Sequence, residues 1–232
     1  MIDRERLYDK RKEYGIILSD SQLSLLDRYS DILVEYNEKV NLTAITDPVG
    51  IEDKHFIDSL LFRRREEVKG SVVDVGTGAG FPGIVAKIYK PEIEINLLDP
   101  LGKRCVFLQY ALDSLGLKGN VIKERAEEAA RKQYREKYDV ATARAVADMR
   151  VLCEYCIPLV KVGGHFIAMK SANAEEIKLA GNAISKLGAV YEETETITLP
   201  DGSQRTLVIC RKESDTPAVY PRNGGKIAKS PL

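Results

Sequence analysis

The stretch VVDVGTGAGFPG, residues 72–83, packs four glycines into its last eight positions. Val72 and Val73 read as a buried strand, Asp74 stands near its carboxyl end, and a helix-length segment follows Gly83. Strand, glycine loop and helix in that order are the context of a nucleotide site. Glycine serves there because the backbone must take positive φ or come close to a ligand. The dinucleotide pattern G-x-G-x-x-G can be laid on Gly78, Gly80 and Gly83, but then the turn begins before it and Pro82 falls inside it. The better alignment starts at Gly76 and reads D-x-G-x-G-x-G. An acid at position 74 suits the ammonium of a methionine moiety and repels a pyrophosphate. The loop therefore points to S-adenosyl-L-methionine in preference to NAD.

Outward from the loop, the chain alternates short apolar strands with helix-length segments from residue 71 onward. The strands are SVVDVG, IEINLLD, NVIKE, YDVATAR, GGHFIAMK, AVYEETETITL and RTLVICRK. This order predicts an α/β fold with a mostly parallel, doubly wound sheet. The last two strands are separated by a few residues around Pro200-Asp201-Gly202, so that pair is expected to be antiparallel. A parallel sheet ending in such a hairpin is Rossmann-like in the manner of methyltransferases; an NAD domain has no need of it. Residues 1–70 read as a helical N-terminal extension. One helix is capped at Ser19, Asp20 or Ser21, and another enters at Asp47-Pro48 and closes at Gly70. Residues 71–212 form the catalytic domain and 213–232 a Pro/Gly-rich tail.

With 35 basic and 35 acidic residues the net charge is zero, so total charge argues nothing about nucleic acid. A hydrophobic share of 44% and a charged share of 30% describe a soluble globular chain. No apolar run approaches the roughly 18 residues of a membrane helix, and the charged start has no secretory apolar core. A cytoplasmic protein is expected. Cys153 and Cys156 form C-x-x-C, but no second pair completes a four-thiolate site. They are read as small hydrophobes on the apolar face of a helix over 148–160, and no metal is expected.

Candidate site residues gather at the strand ends. Asp99, after the second strand, is placed to accept from ribose hydroxyls. Glu127 or Glu128, after the third, is placed either to accept from an adenine amino group or to serve a solvated helix turn. Arg144 ends the fourth strand, either at the cofactor's methionine end and the incoming base or as an interior arginine paired with an acid. Lys170 ends the fifth and is placed for a phosphate or base edge. His55 lies on a helix among apolar neighbours, packed or functional. The run Arg63-Arg64-Arg65 reads as a solvated helix face. The tail carries Arg222, Lys226 and Lys229 with no acid from Pro217 onward, and reads as a disordered end or a basic arm for phosphates.

Nine stretches, in order, resemble the bacterial 16S rRNA guanine-N7 methyltransferases (the RsmG, or GidB, family). They are NLTAIT (41–46), HFIDSL (55–60), DVGTGAGFPG (74–83), LLDPLGKRCVFL (97–108), RAEE (125–128), ATARAVA (141–147), PLVKVGGHFIAMK (158–170), RTLVICRK (205–212) and YPRNGGKIAKSPL (220–232). The resemblance implies a class I methyltransferase with a seven-stranded sheet. It also implies methyl transfer from S-adenosyl-L-methionine to N7 of a guanine in the 530 loop of 16S rRNA. The family's cofactor contacts fall on Gly76, Phe81, Ala126, Glu127 and Arg144; with the readings above, Gly78, Gly80 and Asp99 join them, and His55, Lys170 and Arg222 become the substrate candidates. The expected partner is 16S rRNA or the small ribosomal subunit, the expected state a monomer. Pro100 stands where many members have serine, and Ser171 where a glycine is frequent.

The chemistry asks little of side chains. Guanine N7 exposes a lone pair in the neutral base, so no general base is required and positioning supplies much of the rate. The chain has neither an N-P-P-Y tetrapeptide nor a Pro-Cys pair, and no catalytic residue is singled out. Two rivals remain. A nicotinamide-dependent oxidoreductase is disfavoured by Asp74 and the lack of a Tyr-x-x-x-Lys constellation. A non-enzymatic RNA-binding or assembly factor is disfavoured by the intact loop, Asp99 and Arg144.

Overall fold

The computed structural model describes residues 2–63, 65–144, 147–171 and 174–232. Helices α1 (Arg4–Glu13) and α2 (Asp20–Asn37) open the chain. Ser19 caps α2 and closes a capping box with Gln22, as its sequence predicts. The next helical stretch is composite: α3 (Pro48–Gly50), a π-helical segment (Ile51–Ile57) and α4 (Asp58–Arg63). Asp47 caps its start through the Gly50 amide, with Pro48 at the first helical position. The stretch ends at Arg63 rather than at Gly70, which lies in the turn leading to the sheet. Arg64 of the predicted arginine run falls outside the described residues. Arg65 pairs with Glu67, Glu193 and Glu195.

The sheet is built from β1 (Ser71–Val75), β2 (Glu94–Leu98), β3 (Asn120–Ile122), β4 (Tyr138–Arg144), β5 (Val160–Ser171), β6 (Ala189–Thr198) and β7 (Gln204–Lys212). Its order is β3-β2-β1-β4-β5-β7-β6. Neighbours are parallel from β3 through β5, and β7 pairs antiparallel with both β5 and β6. The expected hairpin is present, and β7 is inserted between β5 and β6. The ten-residue β6 forms one edge of the sheet, with a bulge between Tyr191 and Glu193.

Side chains alternate across this sheet with the strand period of two. Val72, Val140, Ile167, Leu207 and Ile209 enter one apolar core, shared with Leu26, Tyr29 and Phe56 of the N-terminal helices. Val73, Ala141, Phe166, Ala168, Val208 and Cys210 enter the other. The N-terminal helices, α5 (Gly83–Tyr89) and α6 (Gly102–Leu115) cover the first face; α8 (Met149–Cys156) and α10 (Gly181–Lys186) cover the second. Among the described residues, the apolar side chains before residue 71 share the core of the sheet's first face. Cys153 and Cys156 are fully buried in the second core, where burial pushes both thiols up. They serve as the small hydrophobes their spacing suggests. Among the described residues no group of three or more His, Cys, Asp or Glu is placed to hold a metal ion, and no helix is long and apolar enough to cross a membrane.

The tail is not a disordered end. It folds back on the body and ends in the short helix α11 (Gly224–Lys229), after the four-residue α7 (Ala126–Ala129) and α9 (Ala174–Leu179) in the chain's count. Its carbonyls are gripped by arginines. Arg131 donates to Pro221 (2.8 Å), and Arg135 donates to Tyr220 (2.8 Å) and Thr216 (2.5 Å).

Candidate active site

A cleft opens at the carboxyl ends of β1, β2, β3 and β4, where ligands of open parallel sheets bind. Val75, Leu98 and Leu152 give it an apolar floor. Gly76, Pro100, Ala126 and Tyr155 line its sides, and Glu124, Glu127 and Arg144 bring charge. Gly76 sits at φ +68°, in the left-handed region that favours glycine, and a Cβ there would meet nothing within 4 Å. It is a bare backbone patch facing open space.

Beyond Gly76 the loop is held by internal bonds, although a Cβ at Gly78 would meet only the Gly76 carbonyl at 4.0 Å. Asp74 is fully buried and does not line the cleft. One of its oxygens accepts from the Thr77 hydroxyl (2.6 Å) and the Gly83 amide (2.8 Å). The acid expected to meet an ammonium instead ties the two ends of the loop together. Burial pushes its carboxyl up to about 6, against the hold of Thr77 and Gly83. Gly83 is required by close approach: a Cβ there would lie 2.4 Å from Leu97 Cδ2 and 2.9 Å from Asp74 Oδ2. Asp99 is likewise turned inward. It is 1% exposed and accepts from the Gly78 amide (3.1 Å) and the Leu101 amide (2.9 Å), with Arg104 at 3.4 Å. Gly78 and Asp99 therefore brace the loop together. Gly80 packs against Ile84 and Tyr29, whose hydroxyl donates to the Ala79 carbonyl.

Arg144 is the interior arginine paired with an acid that one of its sequence readings describes, and it also lines the cleft. It borders the cleft, and its guanidinium donates to the Lys54 carbonyl (2.9 Å), to Asp58 (3.2 Å) and toward His55 Nδ1 (3.3 Å). The Phe81 ring lies beneath it, 5.0 Å from guanidinium carbon to ring centroid, and stacks on His55 at 4.3 Å. Phe81 supports the cleft without lining it. Asp58 is fully buried and also holds Arg205 through two bonds (2.6 and 2.8 Å). The π-helical segment makes this possible. The Asp58 amide reaches past Lys54 to the Asp53 carbonyl, and the Lys54 carbonyl is turned to Arg144. Such wide turns recur at functional sites.

His55 belongs to this support. Arg144 has only donors, so His55 Nδ1 accepts and the ring's proton sits on Nε2, which donates to Thr43 Oγ1 (3.0 Å). Burial, and then the nearby Arg144 charge, lower its pKa to about 3. The neutral ring is the folded form. The unfolded chain binds a proton near 6.5 that the folded chain refuses, so stability is lost as pH falls from about 6.5 toward 3. Asp74 acts in the opposite direction between about 6 and its ordinary value near 3.8, and the larger His55 shift dominates. In His55→Asn the acid loss of stability should be distinctly shallower, read by urea midpoints between pH 7 and pH 4.5. Equal slopes in both proteins would refute the assignment.

Two substrate candidates are corrected. Lys170 is 8% exposed, donates to the Ala147 carbonyl (2.5 Å) and pairs with Glu176 (2.7 Å). It ties the segment after β4 to Glu176. Arg222 is spent on the fully buried Glu154, with its amide, Nε and Nη2 all donating at 2.6–3.1 Å. Each cation is held by a carboxylate of the chain itself, the fully buried Glu154 for Arg222 and the partly exposed Glu176 for Lys170. Sequence reasoning missed Tyr155, Leu152 and Glu124. The first two lie on the C-x-x-C helix, whose apolar pattern gave no hint that one edge reaches a cleft. Glu124 precedes RAEE directly; its Oε1 accepts from Lys132 (2.8 Å) and its buried Oε2 has no hydrogen-bond partner.

These residues fit a nucleoside with a cationic appendage. The floor is apolar, two carboxylates face the cleft, one with a buried oxygen awaiting a donor, and a guanidinium stands at one end. Two carboxylates repel a pyrophosphate and welcome an amino group and a sulfonium. Sheet order and cleft together define a class I S-adenosylmethionine-dependent methyltransferase. Solved structures share the fold: M. jannaschii TYW2 in complex with AdoMet (TM-score 0.53, 13% identity, 66% of this chain and 74% of that one), and an SAM-dependent O-methyltransferase from Thermotoga maritima (TM-score 0.52, 14% identity, 80% and 72%). Residues 22–208 match the family described as GidB, rRNA small subunit methyltransferase G. The chain is 46% identical to ribosomal RNA small subunit methyltransferase G of Staphylococcus carnosus over 98% of both chains. It is 48% identical to that of Geobacillus kaustophilus over 95% of both. The chain belongs to the small-subunit rRNA methyltransferase G family.

Proposed function

We propose that this protein transfers the methyl of S-adenosylmethionine to N7 of a guanine in the 530 loop of 16S rRNA. The observation that carries this reading is the acidic cleft beside Gly76 with Arg144 at one end, in a chain of this family. In that reading the Gly76 backbone and Arg144 border the methionine end. Ala126 and Glu127 meet the adenine, and Tyr155 and Leu152 cover its faces. When bound, S-adenosylmethionine supplies an electrophilic methyl group, and the N7 lone pair needs no proton removed before attack. The chain's own work is to hold Arg144 still: Phe81 lies below it, while Asp58, His55 and the Lys54 carbonyl fix its hydrogen-bonding edge. Fixed geometry of this kind lowers the barrier through orientation.

With Lys170 and Arg222 committed internally, the RNA must be gripped elsewhere. The acceptor is the small subunit or its rRNA, and the protein acts as a monomer in the cytoplasm. The test adds the protein and labelled S-adenosylmethionine to small subunits from cells lacking it, then maps label by cleavage at N7-methylguanine. Label at one guanine of the 530 loop is expected. Label on another base or atom would overturn the acceptor, and no label with the cofactor bound would leave only a binding role.

A further inference from the structure

The cleft's acidic wall is held in place from outside. Glu127 is 5% exposed and sits on the four-residue α7. Among the described residues nothing donates a hydrogen bond to its carboxylate, so packing must set its position. The packing partner is Gly224. A Cβ at that position would lie 2.3 Å from Glu127 Oε1 and 3.2 Å from its Cδ. No side chain at 224 can coexist with the carboxylate where it stands. The far end of a glutamate swings at little cost, so an added methyl displaces the acid and leaves the fold intact.

The segment that carries Gly224 is firmly anchored on both walls. On one side, Arg131, just beyond α7, donates to the Pro221 carbonyl. On the other, Arg222 is bound at four points to Glu154, fully buried in α8 one residue before the cleft-lining Tyr155. Asn223 then caps α11 through the Lys226 amide (2.9 Å), and Ile227 is fully buried. Pro221, Arg222 and Gly224 thus link the end of α7 to α8 beside the cleft.

We propose that the C-terminal segment 221–224 is a positioning element of the cofactor site: Gly224 sets the Glu127 carboxylate, and the Arg222–Glu154 pair fixes the segment to the helix bearing Tyr155. This rests on the reading of the cleft as the S-adenosylmethionine site. The segment acts by holding those two walls at the spacing a nucleoside needs, and itself touches no reacting atom.

Gly225 supplies the control. A Cβ there would meet only Asn223 Oδ1, at an ordinary 3.6 Å, and the substitution adds the same methyl to the same short helix. The experiment measures S-adenosylhomocysteine affinity of the full-length protein by calorimetry, for wild type, Gly224→Ala, Gly225→Ala, Glu127→Ala and the Gly224→Ala/Glu127→Ala pair. Gly225→Ala should bind within about twofold of wild type, and Gly224→Ala roughly tenfold more weakly, with the unfolding temperatures of the two glycine variants alike. The KM for S-adenosylmethionine should rise with the Kd while kcat at saturation is kept. In the Glu127→Ala background Gly224→Ala should cost nothing further, because the atom it displaces is gone. Gly224→Ala binding as tightly as Gly225→Ala would overturn the proposal, and so would an equal loss in both backgrounds. If wild type itself fails to bind S-adenosylhomocysteine, the cofactor reading has fallen and takes this proposal with it. If wild type binds and only the glycine effect is missing, the cofactor reading stands alone.

Discussion

Replacing Asp58 with alanine should lower the unfolding free energy by about 3–5 kcal/mol, the cost of stranding buried charge without its partner. Asp58 is fully buried, and its two oxygens hold Arg205 and Arg144 at 2.6–3.2 Å. Two guanidiniums already outnumber one carboxylate; without it two like charges are left side by side. A surface ion pair would be worth about 0–1 kcal/mol, so the measured size decides whether burial governs the pair. Asp58→Asn should fall between, since it keeps an acceptor but loses the charge. Urea denaturation at pH 7 reads both. The folded fraction of Asp58→Ala should also bind S-adenosylhomocysteine more weakly, because Arg144 loses one of the groups that aim it. A loss under about 1 kcal/mol would show that the cluster relaxes into water instead.

Replacing Gly76 with valine should abolish cofactor binding, with a loss of at least about 100-fold, or roughly 2.7 kcal/mol. The reasoning separates two costs. A branched residue at φ +68° pays a conformational strain of about 1–2 kcal/mol. The Cβ itself meets no neighbour within 4 Å. It projects into the cleft, where the ligand belongs. The protein should therefore fold with a modestly lower unfolding temperature and yet show no S-adenosylhomocysteine binding by calorimetry. Gly83→Val should behave in the opposite way and fail to fold, since Leu97 and Asp74 occupy the space its side chain needs. A Gly76→Val protein that still binds would place the cofactor elsewhere.

The parts of the fold legible in the sequence are those fixed by local chemistry. The alternation of Val72 and Val73 between two cores, the Ser19 cap, the Asp47-Pro48 helix entry and the Pro200–Gly202 hairpin each depend on residues close together in the chain. The cleft's position followed from the strand–loop–helix unit at Gly76, and Ala126, Glu127 and Arg144 do line it. What stayed hidden is which acid neutralises which base. Arg205 meets Asp58 from 147 positions away, and Arg222 meets Glu154 from 68. Residue type shows that Lys170 and Arg222 are cations; it does not show that Glu176 and Glu154 are already paired with them. The same holds for Asp74 and Asp99, which read as ligand acids and serve as loop braces. The π-helical turn at Ile51–Ile57 left no trace, because over seven residues an apolar pattern fits a wide turn as well as a normal one.

The edge strand β6 carries a different consequence. Ten residues of strand with one free side are a template onto which another chain's strand could dock. With a net charge of zero, no overall repulsion keeps two copies of this protein apart. The protection must be local, and β6 supplies it: Glu192, Glu193 and Glu195 are set in ion pairs with Arg211 and Arg65, beside the bulge at Tyr191–Glu193. An invading strand would have to strip water from those pairs and follow a kinked ladder. At this edge of the sheet the guard against strand-to-strand docking is built into β6 itself, at the rim opposite β3.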